Sequence, residues 1–230
     1  MPTPPYKAIV VGATGAVGSA LVRELLASPA CTGITALVRR PTTMFAGAPG
    51  GEKLHLEVVD FHDLEAATAR LAAGSQVAFC TMGIGQPRKV PLDEFRRVDV
   101  EYAGAFARGA HAAGVRHISL LSSVGADVAS RNRYLHIKGL AEAVVEAAGI
   151  ARSSVFRPSL LVTQHLRYGV QDWLSQTLLP VVTPVLPARY HQIRVEDLGR
   201  AMRLNAERSG ADGREVVYYP ECRALLAGTA

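Results

Sequence analysis

The stretch from Lys7 to Gly18 leaves the chain little freedom in what it can become. An apolar run, Ala8-Ile9-Val10-Val11, breaks into Gly12, Gly15 and Gly18 at intervals of three, and an apolar helical pattern then continues to Ala27. That order is a strand, a tight turn and a helix start. Glycines let the backbone turn sharply and approach a ligand, while the first free N–H groups of the helix and its dipole favour negative charge. Gly12, Thr14, Gly15, Ala16, Val17 and Gly18 are therefore candidates to hold the diphosphate of a dinucleotide. The spacing G-x-x-G-x-x-G departs from the G-x-G-x-x-G of the standard fingerprint. A turn that merely connects two elements is the alternative, and the buried strand before it favours the nucleotide.

The rest of the chain repeats this rhythm. Strand patterns occur at Lys7–Val11, Ile34–Val38, Leu54–Val59, Gln76–Cys80, His117–Ser122 and Ser154–Phe156, with helical patterns at Ala16–Ala27, Leu64–Leu71, Leu92–Ala113 and Tyr134–Ala148. Near-continuous apolar strands alternating with helices predict an α/β fold: a doubly wound, mostly parallel sheet of Rossmann type, covered on both faces. Gly114 and Gly149 stand where helices should stop. After Pro158 the rhythm changes, and residues 159–195 read as a small substrate lobe with one helix near Asp172–Leu179. A helix at Glu196–Glu207 and a strand around Glu215–Tyr219 then return to the core. The whole is expected to be a single domain of residues 1–230, with its core at 7–158.

Length and charge narrow the class. At 230 residues with 49% hydrophobic and 20% charged content, the chain can bury a full core. The net charge of +5 comes from scattered basic residues without a block, which argues against nucleic acid as a partner and for a small-molecule substrate. Cys31, Cys80 and Cys222 lack ligand spacing, and the histidines form no cluster, so no metal is assigned. Unpaired thiols, and apolar runs too short to span a bilayer, suggest a soluble cytoplasmic protein without a membrane partner.

The second strand ends Val38-Arg39-Arg40. An acidic residue here would bind the ribose 2′-hydroxyl of NAD, whereas arginine accommodates the 2′-phosphate of NADP. Arg39 and Arg40 thus point to NADP(H) over NAD(H), against the alternative of two solvated loop arginines. Asp60 and Phe61 follow the third strand, where they can meet the adenine; Asp63 as a helix cap and Phe61 as plain packing are the alternatives. Thr81, Met82 and Gly83 form a small-residue turn where a cofactor ribose would lie. Cys80 reads as a buried filler, since nothing is placed to activate it.

Tyr134 and Lys138 open a helix at i and i+4, so phenol and ammonium share a face. A phenol with a reference pKa near 10 is a poor acid–base group at neutral pH, and a neighbouring ammonium lowers that value. Upstream, the fifth strand ends Leu121-Ser122-Ser123, at the sheet edge where ligands bind. Ser123 as a turn cap and Tyr134 as a packed aromatic are the alternatives. Arg131 and Arg133 stand before Tyr134 and would favour an acidic substrate unless they are simply solvated. Tyr168, Trp173 and Tyr190 either line a pocket or fill a core.

The order of these motifs resembles the short-chain dehydrogenase/reductase superfamily. The runs Leu120–Asp127, Tyr134–Gly139 and Ser154–Pro158 are similar to an atypical branch, the Tat-interacting-protein-like oxidoreductases. The resemblance implies a NADP-dependent oxidoreductase acting between a carbonyl and a hydroxyl. Tyr134 would be the acid/base, Ser123 would polarise the substrate oxygen, and Lys138 would hold the nicotinamide ribose. Backbone after Pro158, around Ser159–Leu161, would contact the carboxamide. It further suggests a homodimer. Asp99 stands where the superfamily often has asparagine, which puts the usual proton relay in question and mildly favours a second reading, a non-catalytic NADP(H)-binding redox-sensing regulator. A sugar-nucleotide epimerase or dehydratase ranks third, because few residues follow the sixth strand.

Overall fold

The computed structural model describes residues 4–85, 89–162 and 187–228. The fold grows from β1 (Tyr6–Val11), where every side chain except Lys7 is buried. Ile9 and Val11 point into one hydrophobic cluster and Val10 into another, as the two-residue period of a strand requires. A strand buried on both sides sits in the middle of a covered sheet. The sheet indeed has β1 third from one edge.

In chain order the strands are β2 (Cys31–Val38), β3 (Leu54–Val58), β4 (Val77–Cys80), β5 (His117–Leu121), β6 (Arg152–Phe156), β7 (Leu161–Val162), β8 (Ile193–Arg194) and β9 (Gly213–Val217). Seven of them pair in the order β3-β2-β1-β4-β5-β6-β9, all parallel, and β7 and β8 make a separate parallel pair. On one face α1 (Ala16–Ala27) packs with two late helices, α6 (Val195–Glu207) and α7 (Tyr219–Ala227), through Leu21, Leu25, Leu198 and Leu225. The other face is covered by α2 (Leu64–Leu71), α4 (Tyr102–Ala112) and α5 (Arg133–Glu146), with Phe106 and Val145 at its centre. The doubly wound parallel architecture expected from the strand–helix alternation is the one observed.

Three local expectations are corrected. The helix anticipated over Leu92–Ala113 is α3 (Leu92–Arg96), a π-helical stretch Arg97–Glu101, and then α4. Hydrophobic periodicity does not reveal such a widened turn, which is common at functional sites. The last strand ends at Val217, and the residues after it form α7 instead of prolonging it. Pro220 at the helix start, with the Glu221 carboxylate accepting from the Tyr218 N–H at 3.0 Å, is the sequence signal for that helix. Asp60, expected at the adenine, is itself a cap, its Oδ1 accepting from the His62 N–H at 2.9 Å, while Asp63, the alternative cap, makes no side-chain cap bond. Gly114 and Gly149 do end their helices, with φ of 81° and 76°. The helix near Asp172–Leu179, together with Tyr168 and Trp173, lies outside the described residues; Tyr190 ends a short turn, Ala188–Tyr190.

Candidate active site

β1 and β4 are neighbours whose connections leave in opposite directions, so a crevice opens beyond their carboxyl ends. A cavity of about 210 Å³ fills it, lined by Gly12–Gly15, Leu37–Arg39, Phe61, Thr81–Ile84, Val98 and Tyr102. Gly12 has φ of 84°, and a Cβ there would stand 2.6 Å from the Met82 nitrogen. A Cβ on Gly18 would collide with the Gly12 carbonyl oxygen and the Thr81 hydroxyl. Glycine is thus the residue that lets the first turn lie flat against the turn after β4. Gly15 caps α1 without a side-chain bond, and the first helical turn carries no acid. Gly15 lines the crevice at this helix start, where the dipole favours negative charge. Two glycines that let the turns close tightly, beside an uncapped helix start, fit the diphosphate of a dinucleotide.

Around the rim, Arg39 lines the cavity with its guanidinium 5.9 Å from the Phe61 ring centroid. Phe61 is buried and meets Tyr102 edge-on at 5.5 Å. Arg40 and Asp60 are exposed and do not line the cavity, and Asp60 Oδ1 accepts from the His62 N–H instead. Ala16, Val17 and Gly18 lie in the first turn of α1.

At the other end, Gly83 joins the cavity to Lys138. A Cβ on Gly83 would come within 2.9 Å of Lys138 Nζ and 3.2 Å of Asp99 Oδ1. The Lys138 ammonium pairs with Asp99 Oδ1 at 2.7 Å, and the Ile84 N–H donates to Asp99 Oδ2 at 2.9 Å. Burial works against the charged lysine, but Asp99 above all, then Tyr134, favours it, and the net effect raises its pKa. Lys138 Nζ lies 6.0 Å from the Tyr134 ring centroid, and that ring stacks on Phe95 at 6.1 Å. Sequence reasoning treated Asp99 only as a departure at a relay position; the π turn that aims it at the lysine carried no sequence signal.

The serine pair after β5 divides its work. Ser122 Oγ donates to Glu142 Oε1 at 2.5 Å, whereas Ser123 Oγ has only a 3.5 Å contact with the Val124 carbonyl. Ser123 is the one left for a ligand. Glu142, one turn beyond Lys138, was missed in the sequence. It is buried and also holds Arg157, at 2.9 and 2.6 Å, and Arg214 at 2.7 Å. Spacing of i, i+4 and i+8 from Tyr134 was the available clue. Pro158 is buried, with its carbonyl accepting from the Val124 N–H at 2.9 Å, and Leu161 is an exposed member of β7. Arg133 donates to the Val90 carbonyl at 3.2 Å and covers Phe95, so it braces the ring behind Tyr134. Arg131 is exposed. Cys80 is a wholly buried filler whose thiol burial pushes up to about 12.

The chain belongs to the NAD(P)H-binding family, whose model matches residues 12–170. Within it the chain is an atypical short-chain dehydrogenase/reductase, similar to protein HTATIP2 of Rattus norvegicus, with 34% identity over 217 residues that cover 94% of this chain and 86% of the relative. Protein FMP52-1, mitochondrial, of Scheffersomyces stipitis is 27% identical over 229 residues, covering 95% and 96%. Among solved structures, MoeE5 in complex with UDP-glucose and NAD superposes with a TM-score of 0.68 at 22% identity, covering 96% of this chain and 82% of that one. It shares the fold. The expected cytoplasmic location is overturned by the fungal relatives, several of which are named as mitochondrial. Unpaired thiols mark a reducing compartment, and that property does not single out the cytosol. Among the described residues no helix is long and apolar enough to cross a membrane.

Proposed function

We propose that this chain is a NADP(H)-dependent oxidoreductase converting a carbonyl compound and its alcohol into one another. The observation that carries the reading is the placement of Lys138 Nζ directly behind Gly83, on the helix face shared with Tyr134. When bound, the nicotinamide supplies or accepts the hydride. Tyr134 gives its phenolic proton to the substrate oxygen, or takes it back in the reverse direction. Ser123 Oγ donates a hydrogen bond to that same oxygen as negative charge develops on it. Lys138 would hold the nicotinamide ribose through its ammonium. Arg39, on the cavity wall beside Phe61, would hold a 2′-phosphate, its planar guanidinium suited to two parallel hydrogen bonds.

The test is turnover of NADPH against a panel of aldehydes and ketones, followed by nicotinamide absorbance. Tyr134→Phe is expected to lower the rate by at least about 100-fold while NADPH affinity stays within about twofold of the parent. Undiminished turnover in that variant overturns the mechanism. Wild-type protein that binds NADPH and reduces nothing in the panel supports the redox-sensing regulator instead.

A further inference from the structure

The π turn between α3 and α4 places a carboxylate where it meets two parts of the site at once. We propose that Asp99 is the positioning residue of this site, anchoring the Lys138 ammonium and the Gly83–Ile84 backbone so that the lysine stands ready beside the cofactor ribose. The geometry is specific. Asp99 is buried, and its two oxygens are divided between Lys138 Nζ at 2.7 Å and the Ile84 N–H at 2.9 Å. Val98, the residue before it, lines the cavity, as do Gly83 and Ile84. A regular α turn would rotate residue 99 relative to its neighbours, and the widened turn at Arg97–Glu101 sets its direction. Gly83 completes the arrangement, since any larger residue would press on both partners of the pair.

A buried ammonium without a counter-ion sheds its proton easily. Three titratable groups face Lys138: Asp99 from the π turn, Tyr134 from its own helix and Cys80 from β4. Burial pulls the lysine down, and Asp99 is the strongest of the three groups that push it up. Asp99→Asn removes the strongest group opposing burial, so the lysine is expected to lose its proton at a lower pH than in the wild type. The Asp99 carboxylate thus lets Lys138 stay charged across the working range, a task the amide of an asparagine in its place does not perform.

This inference rests on the reading that NADP(H) occupies the crevice, and its test has one arm that needs no cofactor. In the first arm, melting temperatures are compared for wild type, Asp99→Asn, Lys138→Met and the double variant. Removing one partner of a buried pair strands the other, so each single change is expected to lower Tm by on the order of 10 °C. The double variant should recover most of the loss. If a single variant fails to fold, a folded double variant supports the anchoring, and a double variant as unstable as the summed singles overturns it. In the second arm, NADPH is titrated by fluorescence at pH 7 and pH 9.5. Wild-type affinity is expected to change less than about twofold, whereas Asp99→Asn should weaken about tenfold at the higher pH, the difference between a charged and a neutral hydrogen bond to the ribose. Lys138→Met in the Asp99→Asn background should abolish that pH dependence. A flat profile for Asp99→Asn overturns the role toward the ribose. Absence of NADPH binding by wild type overturns the proposed function, and the melting cycle still decides the anchoring.

Discussion

At the scale of single residues, Arg39 carries the proposed choice between the two nucleotides. Arg39 lies against Phe61 on the cavity wall, and Arg40 stands outside it. Arg39→Ala is therefore expected to weaken NADPH by about 1.5–3 kcal/mol, the worth of charged hydrogen bonds to phosphate, while NADH affinity is nearly unchanged. Arg40→Ala should do much less. Competitive titration of both nucleotides on both variants checks this, and equal losses for NADPH and NADH would remove the 2′-phosphate from the account. Glu142 gathers elements instead, with Ser122 after the end of β5, Arg157 after β6 and Arg214 from β9 all on one carboxylate. Glu142→Gln takes the carboxylate from Arg157 and leaves Arg214 with only Glu146, at 3.4 Å, at a cost of about 3 kcal/mol, measurable by urea unfolding.

These residues differ in how visible they are before folding. Arg39 stands at a fixed offset from a strand end, so its place could be read from the pattern. Tyr134, Lys138 and Ser123 were singled out by helical spacing and by position after the end of β5. Asp99 and Glu142 were not assigned their partners, because those come from elements distant in sequence and, for Asp99, from a π turn without a periodic signature.

At the scale of elements, strands were the most legible. Ile9-Val10-Val11 and Ala78-Phe79-Cys80 are apolar throughout because both faces of the sheet are covered. The sheet's far side was less so, since polar side chains fill it. His117 on β5 and Ser154 on β6 lie 2.7 Å apart, and Ser154 Oγ donates to Glu215 Oε1 on β9 at 2.6 Å. With that hydroxyl proton committed to Glu215, His117 carries its own proton on Nε2. Burial, reinforced by Arg152, brings the His117 pKa down to about 3. Burial alone would raise Glu215, but hydrogen bonds from Ser154, Arg152 and Asn205 outweigh it and bring its pKa to about 2.

Both groups are more acidic in the fold than in the unfolded chain, so the unfolded chain binds more protons as pH falls. Stability contributed by His117 is complete above its unfolded value of 6.5 and is lost toward 3; that of Glu215 is complete above 4.5 and is lost toward 2. Between about pH 7 and pH 4.5 the histidine dominates, at a cost on the order of 2 kcal/mol. His117→Gln should flatten the fall in Tm over that interval, measured by calorimetry. An equally steep fall in the variant would place the acid sensitivity elsewhere.

For the molecule as a whole, the topology decides where chemistry can occur. The reversal of strand order beside β1 opens one crevice, and the first glycine turn, the β4 turn and the π turn all border it. The alternation of strands and helices made that crevice predictable, whereas the identity of a substrate follows from no such periodic pattern. Gly12→Ala should break the cradle without touching the catalytic face: its positive φ and the 2.6 Å approach to Met82 leave no room for a methyl group. NADPH binding is expected to fall by more than about tenfold, with destabilisation of about 1–3 kcal/mol from backbone strain.

The most direct measurement is a crystal structure of the protein grown with NADPH. The diphosphate should lie on the N–H groups of Gly15, Ala16 and Val17, with a ribose hydroxyl within hydrogen-bond distance of Lys138 Nζ and the 2′-phosphate on Arg39. A nucleotide lying elsewhere, or one whose nicotinamide ribose is turned away from Lys138, would contradict the account.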